Sequence, residues 1–315
     1  MSPDVAARLS LGSQRLVIVT GKGGVGKTTV AAALARAAAA AGRRTLAVEV
    51  GEGRLAPLLG ARTLSAEPAR VAAGLSAARI EPEGALADFV EGVLRFRLLS
   101  RRLLGSTSFQ ILAAAAPGLA ELLVLNKVHG WLGARRLGRP LHDLIVVDAP
   151  ASGHSLPLLS APRTLGALAR LGPIADLLRT LAGMLADRGT TLVLLVTTPE
   201  ELAVRETIEL HEELAGRERL PVGPLIVNAV PGRRFPPADV ELMDGVAEAS
   251  RTHPWLAAGR FLVERRREAE SQMGTLRGAL GTAAVRLPFL WTPPDDPASL
   301  APLAEGLAAA AGLAA

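Results

Sequence analysis

A glycine-rich run between two strongly patterned segments limits how this chain can fold. Residues 21–29 read Gly-Lys-Gly-Gly-Val-Gly-Lys-Thr-Thr and fit the phosphate-binding pattern G-x-x-x-x-G-K-[ST]. The apolar run before it, residues 16–20, predicts a buried strand, and the alanine-rich run after it, residues 28–41, predicts a helix. Strand, loop and helix in this order indicate an α/β fold whose loop holds phosphate groups.

The residue types in this loop suit a phosphorylated ligand and its metal ion. Glycines allow a tight turn that brings backbone N–H groups onto phosphate oxygens, and the following helix N-terminus adds unpaired donors. Lys27 would reach the β- and γ-phosphates, and the Thr28 hydroxyl would bind Mg²⁺. The predicted nucleotide-binding residues of the loop are Gly21, Lys22, Gly23, Gly24, Val25, Gly26, Lys27, Thr28 and Thr29.

Lys22 is one lysine more than the phosphate-binding pattern requires. It resembles the signature lysine of the deviant Walker A ATPases, a group that includes ParA, MinD and ArsA. In that group the lysine crosses a dimer interface and contacts the phosphates of the partner's nucleotide. The resemblance implies a dimer with catalytic roles for Lys22 and Lys27; a solvated loop lysine is the alternative interpretation.

Six short apolar runs are spaced like buried strands of a parallel sheet. They are residues 16–20, 45–50, 144–148, 192–197, 225–228 and 285–287. Helical stretches between them predict a doubly wound, mostly parallel sheet in a single domain spanning residues 1–315. We also expect a helical segment at 240–281 and a packed helix in the Ala- and Leu-rich tail.

Residues 83–137 break this alternation and predict a mostly helical insertion between the second and third of these runs. Its first part combines apolar residues with charged ones at helical spacing. Two interpretations are open. The segment is either an ordinary helix packed on the sheet or a helical subdomain with a surface for a protein partner.

Composition excludes several kinds of site. The chain has no cysteine, which excludes disulfides and zinc or arsenite sites built from thiolates. A net charge of +5 does not indicate binding to nucleic acid. We find neither a signal peptide nor an apolar run of about 18 residues or more, so we expect a cytoplasmic protein without a transmembrane segment.

A carboxylate follows the apolar run 144–148. Asp148 ends this run, which is the position of a Walker B residue that holds Mg²⁺, although capping of the next turn is an alternative. Gly153 lies five residues later, where its backbone N–H can reach a γ-phosphate.

Three segments resemble the ArsA/Get family, which comprises arsenite-pump ATPases and ATPases that target tail-anchored membrane proteins. They are Asp148-Ala-Pro-Ala-Ser-Gly-His154, Pro117-Gly-Leu-Ala-Glu121 and Thr198-Pro-Glu-Glu-Leu-Ala-Val-Arg-Glu206. The resemblance runs from about residue 15 to residue 310. It implies a P-loop ATPase, with ATP and Mg²⁺ as cofactors, that works as a homodimer or as a heterodimer with a paralogue.

The resemblance also implies roles near the base of the nucleotide. Asn228 is similar to the family's adenine-contacting asparagine, and Pro288 and Phe289 are similar to the loop that covers the base. A plain turn residue is the alternative for Asn228. His154 either couples the γ-phosphate to the helical region or makes only a local hydrogen bond.

The chain departs from the family where an aspartate should orient the attacking water. Residues 51–55 read Gly-Glu-Gly-Arg-Leu and contain no aspartate. Glu52, or else Glu49, is the candidate replacement, and Glu52 is the predicted catalytic carboxylate. Rapid hydrolysis is therefore a weaker expectation than nucleotide binding.

These observations predict a Mg²⁺-dependent ATPase that acts as a dimeric switch and couples its nucleotide state to binding of a protein partner at the insertion. One alternative is a nucleotide-binding subunit that does not hydrolyse ATP and pairs with an active paralogue. Another is a positioning ATPase of the ParA or MinD type.

Overall fold

The computed structural model describes residues 9, 11–51, 53–82, 84, 116–167, 171, 173–245 and 253–313. Glu52 and residues 85–115, which form most of the predicted insertion, lie outside this part of the chain.

The described residues form an alternating series of strands and helices. The strands are β1 (Leu16–Gly21), β2 (Thr45–Val50), β3 (Ala69–Ala72), β4 (Leu75–Ile80), β5 (Arg135–Arg136), β6 (Arg139–Pro140), β7 (Leu144–Asp148), β8 (Thr191–Thr197), β9 (Leu225–Val230) and β10 (Ala284–Pro288). The helices are α1 (Lys27–Ala40), α2 (Leu55–Leu58), α3 (Ala116–Gly133), α4 (Ser152–Gly166), α5 (Pro173–Ala186), α6 (Glu201–His211), α7 (Pro237–Gly245), α8 (Pro254–Leu280) and α9 (Ala301–Ala311). A π-helical segment, Glu212–Arg217, continues α6.

Eight strands form one sheet in the order β10-β9-β8-β1-β7-β2-β4-β3. Neighbouring strands run parallel throughout, except that β3 pairs antiparallel with β4. The strand before the glycine loop, β1, lies between β8 and β7 in the middle of the sheet. The predicted mostly parallel α/β fold is confirmed.

The two faces of the sheet bury separate apolar clusters, because alternate side chains of each strand point to opposite faces. Leu16 and Ile18 of β1 join the cluster that includes residues of α3, α4 and α5. Val17 and Val19 join the cluster of α1 and α9 on the other face. The buried side of α1 consists mostly of alanines, and these small side chains let the helix lie close to the sheet.

The predicted insertion needs a correction. Two further strands, β3 and β4, follow β2, so the segment from residue 83 begins after β4 rather than directly after the second strand. Its described part contains the helix α3, and its last residues belong to the short β5–β6 hairpin, which continues past residue 137.

The remaining expectations for the C-terminal third agree with the structure in outline. The predicted helical segment 240–281 contains part of α7 and all of α8, and the tail forms α9. Within the described residues, no helix has both the length and the apolar character needed to span a membrane. The single-domain assignment stays a prediction.

Candidate functional site

The glycine loop and Asp148 meet at one edge of the sheet. Val19 of β1 pairs with Asp148 of β7, and the two strands run parallel, so the segments that leave their carboxyl ends lie side by side. The glycine loop leaves β1 and leads directly into α1, which begins at Lys27. Strand, loop and helix therefore have the order that the sequence motif predicts, at the sheet edge where α/β proteins bind ligands.

Two glycines of the loop occupy places that no other residue fits. Gly26 has a φ of 90°, and a Cβ there would overlap the side-chain amide of Asn228. A Cβ on Gly21 would overlap the backbone oxygen of Val196 on β8. The loop is therefore pressed against β8 and β9, and its tight path needs these glycines.

Lys27 lies inside the loop rather than in solvent. Its Nζ donates a hydrogen bond to the backbone oxygen of Lys22, with 2.8 Å between the atoms. Burial lowers the pKa of Lys27, while the negative charge of Asp148 raises it. The ammonium is thus placed where the loop closes, next to the expected position of the phosphates.

Asp148 is almost completely buried at the end of β7, with 6% of its surface exposed. This burial raises the pKa of the Asp148 carboxyl to about 7. The Thr28 hydroxyl and the charge of Lys27 lower that pKa, and the charge of Glu49 on the neighbouring strand raises it. The protein groups around Asp148 thus neutralise the negative charge of its carboxylate only in part. A divalent cation between Asp148 and the hydroxyl of Thr28 would neutralise the rest. These oxygen ligands fit Mg²⁺.

The segment after β7 faces the glycine loop. A Cβ on Gly23 would lie 3.8 Å from the Cβ of Ala151, which is ordinary van der Waals contact. Gly153 lies in the first turn of α4, is exposed and has open space where its side chain would be. N–H groups in this first turn lack intrahelical partners and suit a phosphate. His154 lies in the same turn, and its role stays a prediction.

Of the residues predicted to hold the base, Asn228 contacts the glycine loop, and Pro288 and Phe289 lie at and just after the end of β10, next to β9. Asn228 Nδ2 donates a hydrogen bond to the backbone oxygen of Val25, at 2.9 Å. The Phe289 N–H donates to the Val230 oxygen at 2.9 Å, which joins the segment after β10 to the end of β9. Between them opens a cavity of about 370 Å³. Its lining includes Pro231, Arg234, Phe261, Pro288, Phe289 and Trp291.

Lys22 has a partner that the sequence did not reveal. Its Nζ lies 2.9 Å from Glu206 Oε1 on α6, and both side chains are partly exposed. Glu206 ends one of the segments that carry the family resemblance, but nothing in helical periodicity pointed to contact with the glycine loop.

Glu49 is unsuited to replace the missing aspartate. It is 1% exposed, and its Oε1 accepts a hydrogen bond from the Leu55 N–H at 2.7 Å. Its Oε2 accepts from the Arg79 guanidinium, with 2.7 Å to both Nε and Nη2. Because Glu49 is buried and held by Leu55 and Arg79, it fixes the start of α2 and is not exposed to solvent. Glu52, the other candidate, lies outside the described residues.

Comparisons with known proteins point to one family. The sequence profile of a family described as "anion-transporting ATPase" matches residues 14–185. ATPase BagA of Mycobacterium tuberculosis is 34% identical over 288 residues, which cover 88% of this chain and 76% of BagA. The arsenical pump-driving ATPase of Escherichia coli is 28% identical over 62% of this chain and 36% of its own length.

Proposed function

Because the chain belongs to the anion-transporting ATPase family and is an ATPase, we propose that it is a Mg²⁺-dependent dimeric switch whose nucleotide state controls the binding of a protein partner. Membership in this family confirms the resemblance seen in the sequence. The observation that carries the proposal is the meeting of Lys27, Thr28 and Asp148 at the carboxyl edge of β1 and β7.

In the proposed site each residue has one task. Lys27 contacts the β- and γ-phosphates, and the glycine loop and the first turn of α4 donate backbone N–H groups to their oxygens. Thr28 and Asp148 hold Mg²⁺, which when bound neutralises charge on the phosphate oxygens. Asn228, beside the glycine loop, and Pro288 and Phe289, which line the cavity next to β9, hold the adenine base. Lys22 acts on the nucleotide of the second subunit.

The partner surface is proposed for the insertion but not for α3. The apolar side of α3 packs in the core, and its residues Leu122, Leu125 and Val128 are buried against the sheet. The helix α3 is thus a packed helix, whereas residues 85–115, which carry the apolar and charged face open to two interpretations, lie outside the described residues. The cytoplasmic location also stays a prediction.

Replacement of Lys27 tests the nucleotide site. We expect Lys27→Ala to lower ATP turnover by about 100-fold or more, because one preorganised cation on the transferring phosphoryl group is lost. The matched control is Lys127→Ala, which removes a lysine outside the glycine loop. Lys127 lies on α3, above the Trp131 ring and 3.4 Å from Glu67. Phosphate release is measured on both variants; equal turnover in Lys27→Ala and the wild type would contradict the proposal.

The contacts of Glu49 favour a second candidate, in which turnover requires a paired paralogue. Both Glu49 oxygens already accept hydrogen bonds, so Glu49 is a poor substitute for the missing aspartate. The isolated chain would then bind ATP and hydrolyse it slowly, and a partner chain would raise the rate. Turnover of the isolated chain at rates of about 1 s⁻¹ or more would rule this candidate out.

A further inference from the structure

We propose that Glu206 is a positioning residue that holds Lys22 on its own subunit until the phosphates of the second subunit's nucleotide replace the carboxylate. This inference rests on the dimer of the proposed function. It starts from the 2.9 Å contact between Lys22 Nζ and Glu206 Oε1, which joins the glycine loop to α6 of the same chain. Lys22 cannot contact Glu206 and reach across an interface at the same time.

The choice of lysine at this position is informative in this chain. Its lysines are Lys22, Lys27 and Lys127, and every other lysine or arginine position holds arginine. Two of the three lysines therefore lie in the glycine loop. An arginine would grip Glu206 through two parallel hydrogen bonds, whereas the ammonium of lysine is a point charge that changes partner easily. Lysine therefore suits a position at which a cation must change from one anionic partner to another.

The surroundings of the pair also suit exchange. The side chains of Lys22 and Glu206 are 25% and 36% exposed, so solvent weakens their attraction and the contact can open. Lys22 is the one cation within 4 Å of Glu206 among the described residues. A γ-phosphate carries more negative charge than a carboxylate and offers several acceptor oxygens, so it competes successfully for the ammonium.

The exchange predicts how turnover depends on protein concentration. ATP turnover per chain rises with concentration as dimers form, and Glu206→Gln removes the competing anion. We expect the protein concentration that gives half of the maximal turnover, the half-maximal concentration, to fall by about two- to fivefold in Glu206→Gln. This factor corresponds to the free energy of a partly exposed ion pair. The plateau rate and the KM for ATP at saturating protein stay unchanged, because Glu206 is proposed to act only on Lys22 before the dimer forms.

Two variants control for side effects. Glu209→Gln makes the same change of charge on the same helix, at an exposed position without an ion pair to any described residue, and should leave the half-maximal concentration unchanged. Glu206→Asp keeps the charge and should restore most of the wild-type value. An unchanged or higher half-maximal concentration in Glu206→Gln, or a lower plateau rate, would overturn the inference.

Amine labelling tests the ion pair without relying on the dimer. The isolated chain is treated with a limiting amount of acetic anhydride, and acetylation at Lys22 is quantified by mass spectrometry relative to Lys127. We expect Lys22 to react about two- to fivefold faster in Glu206→Gln than in the wild type, because the carboxylate no longer holds its amine. Equal labelling would overturn the inference. Wild-type turnover that does not depend on concentration would instead refute the proposed dimer, whatever the labelling shows.

Discussion

Two buried acids at the carboxyl edge of the sheet have opposite surroundings. Glu49 and Asp148 pair in the register of β2 and β7, and both are at most 6% exposed. Glu49 is neutralised by the guanidinium of Arg79, whereas Asp148 has only the more distant charge of Lys27 and the hydroxyl of Thr28. Only Asp148 is therefore available to a metal ion, although the two residues lie on neighbouring strands.

We expect Glu49→Gln to weaken the fold more than it weakens the chemistry. Loss of the carboxylate leaves Arg79 without its ionic partner and should lower the free energy of unfolding by about 1–3 kcal/mol. Turnover per folded molecule at saturating ATP should fall by less than about tenfold, because a catalytic carboxylate would contribute more.

Urea unfolding and phosphate release measure these two effects. A double-mutant cycle with Arg79→Gln separates the pair from the individual side chains. Undiminished stability combined with a loss of turnover of about 100-fold would identify Glu49 as the catalytic carboxylate instead.

Residue contacts were predictable where they are local in sequence. The glycine loop and Asp148 could be placed because each follows a recognisable apolar strand. The contact of Asn228 with Val25 spans 203 residues, and that of Lys22 with Glu206 also joins distant segments. Such contacts depend on the order of strands across the sheet, which the residue pattern of one sequence does not determine.

Among the elements, the six apolar strands were found, and β3, β4 and the short β5–β6 hairpin were missed. The sequence of β4, Leu-Ser-Ala-Ala-Arg-Ile, is poor in β-branched and aromatic residues. It becomes a strand because it pairs in parallel with β2 and buries Ala77 and Ala78 in the sheet, so tertiary packing overrides weak local preference. Gly74 has a φ of 69° at the turn between β3 and β4, a conformation that favours glycine.

Two glycines near the end of α8 should respond oppositely to the same substitution. Gly281 ends the helix with a φ of 61°, and its N–H donates to the Arg277 oxygen at 2.9 Å. Gly281→Ala should lower the free energy of unfolding by about 1 kcal/mol, because a Cβ disfavours this left-handed backbone.

Gly278 lies within α8, is exposed and has open space around it. Gly278→Ala should raise the free energy of unfolding by about 0.5–1 kcal/mol, because alanine favours helix. Urea unfolding compares the two variants, and a change of the same sign in both would contradict this account of the helix end.

In the whole molecule, the predicted functional residues converge on one edge of the sheet. Segments at or near the carboxyl ends of β1, β7, β9 and β10 supply the glycine loop, Asp148, Asn228, Pro288 and Phe289. The convergence follows from parallel pairing and was implied once the strands were identified. Lys22 lies at the same edge, so a second subunit that receives this lysine must face that edge.

Association should therefore depend on the nucleotide. With Mg²⁺ and a non-hydrolysable ATP analogue, the 32.6 kDa chain should sediment as a dimer at concentrations where the ADP-bound chain is monomeric. Lys22→Ala should weaken this dimer, because the contact between its ammonium and the second nucleotide is lost. Identical sedimentation in ATP analogue and ADP would contradict the nucleotide-dependent dimer.

The central place of β1 has a consequence for thermal behaviour. Local opening in a folded protein begins at elements with few buried neighbours, and segments bonded on both sides open only with the whole cooperative unit. Since β1 is bonded to β7 and β8, the loop that it carries shares the global stability of the sheet. On heating, the chain should release nucleotide and lose its secondary structure in one transition. The outermost strands of the sheet, β3 and β10, should exchange their amide protons at lower temperatures.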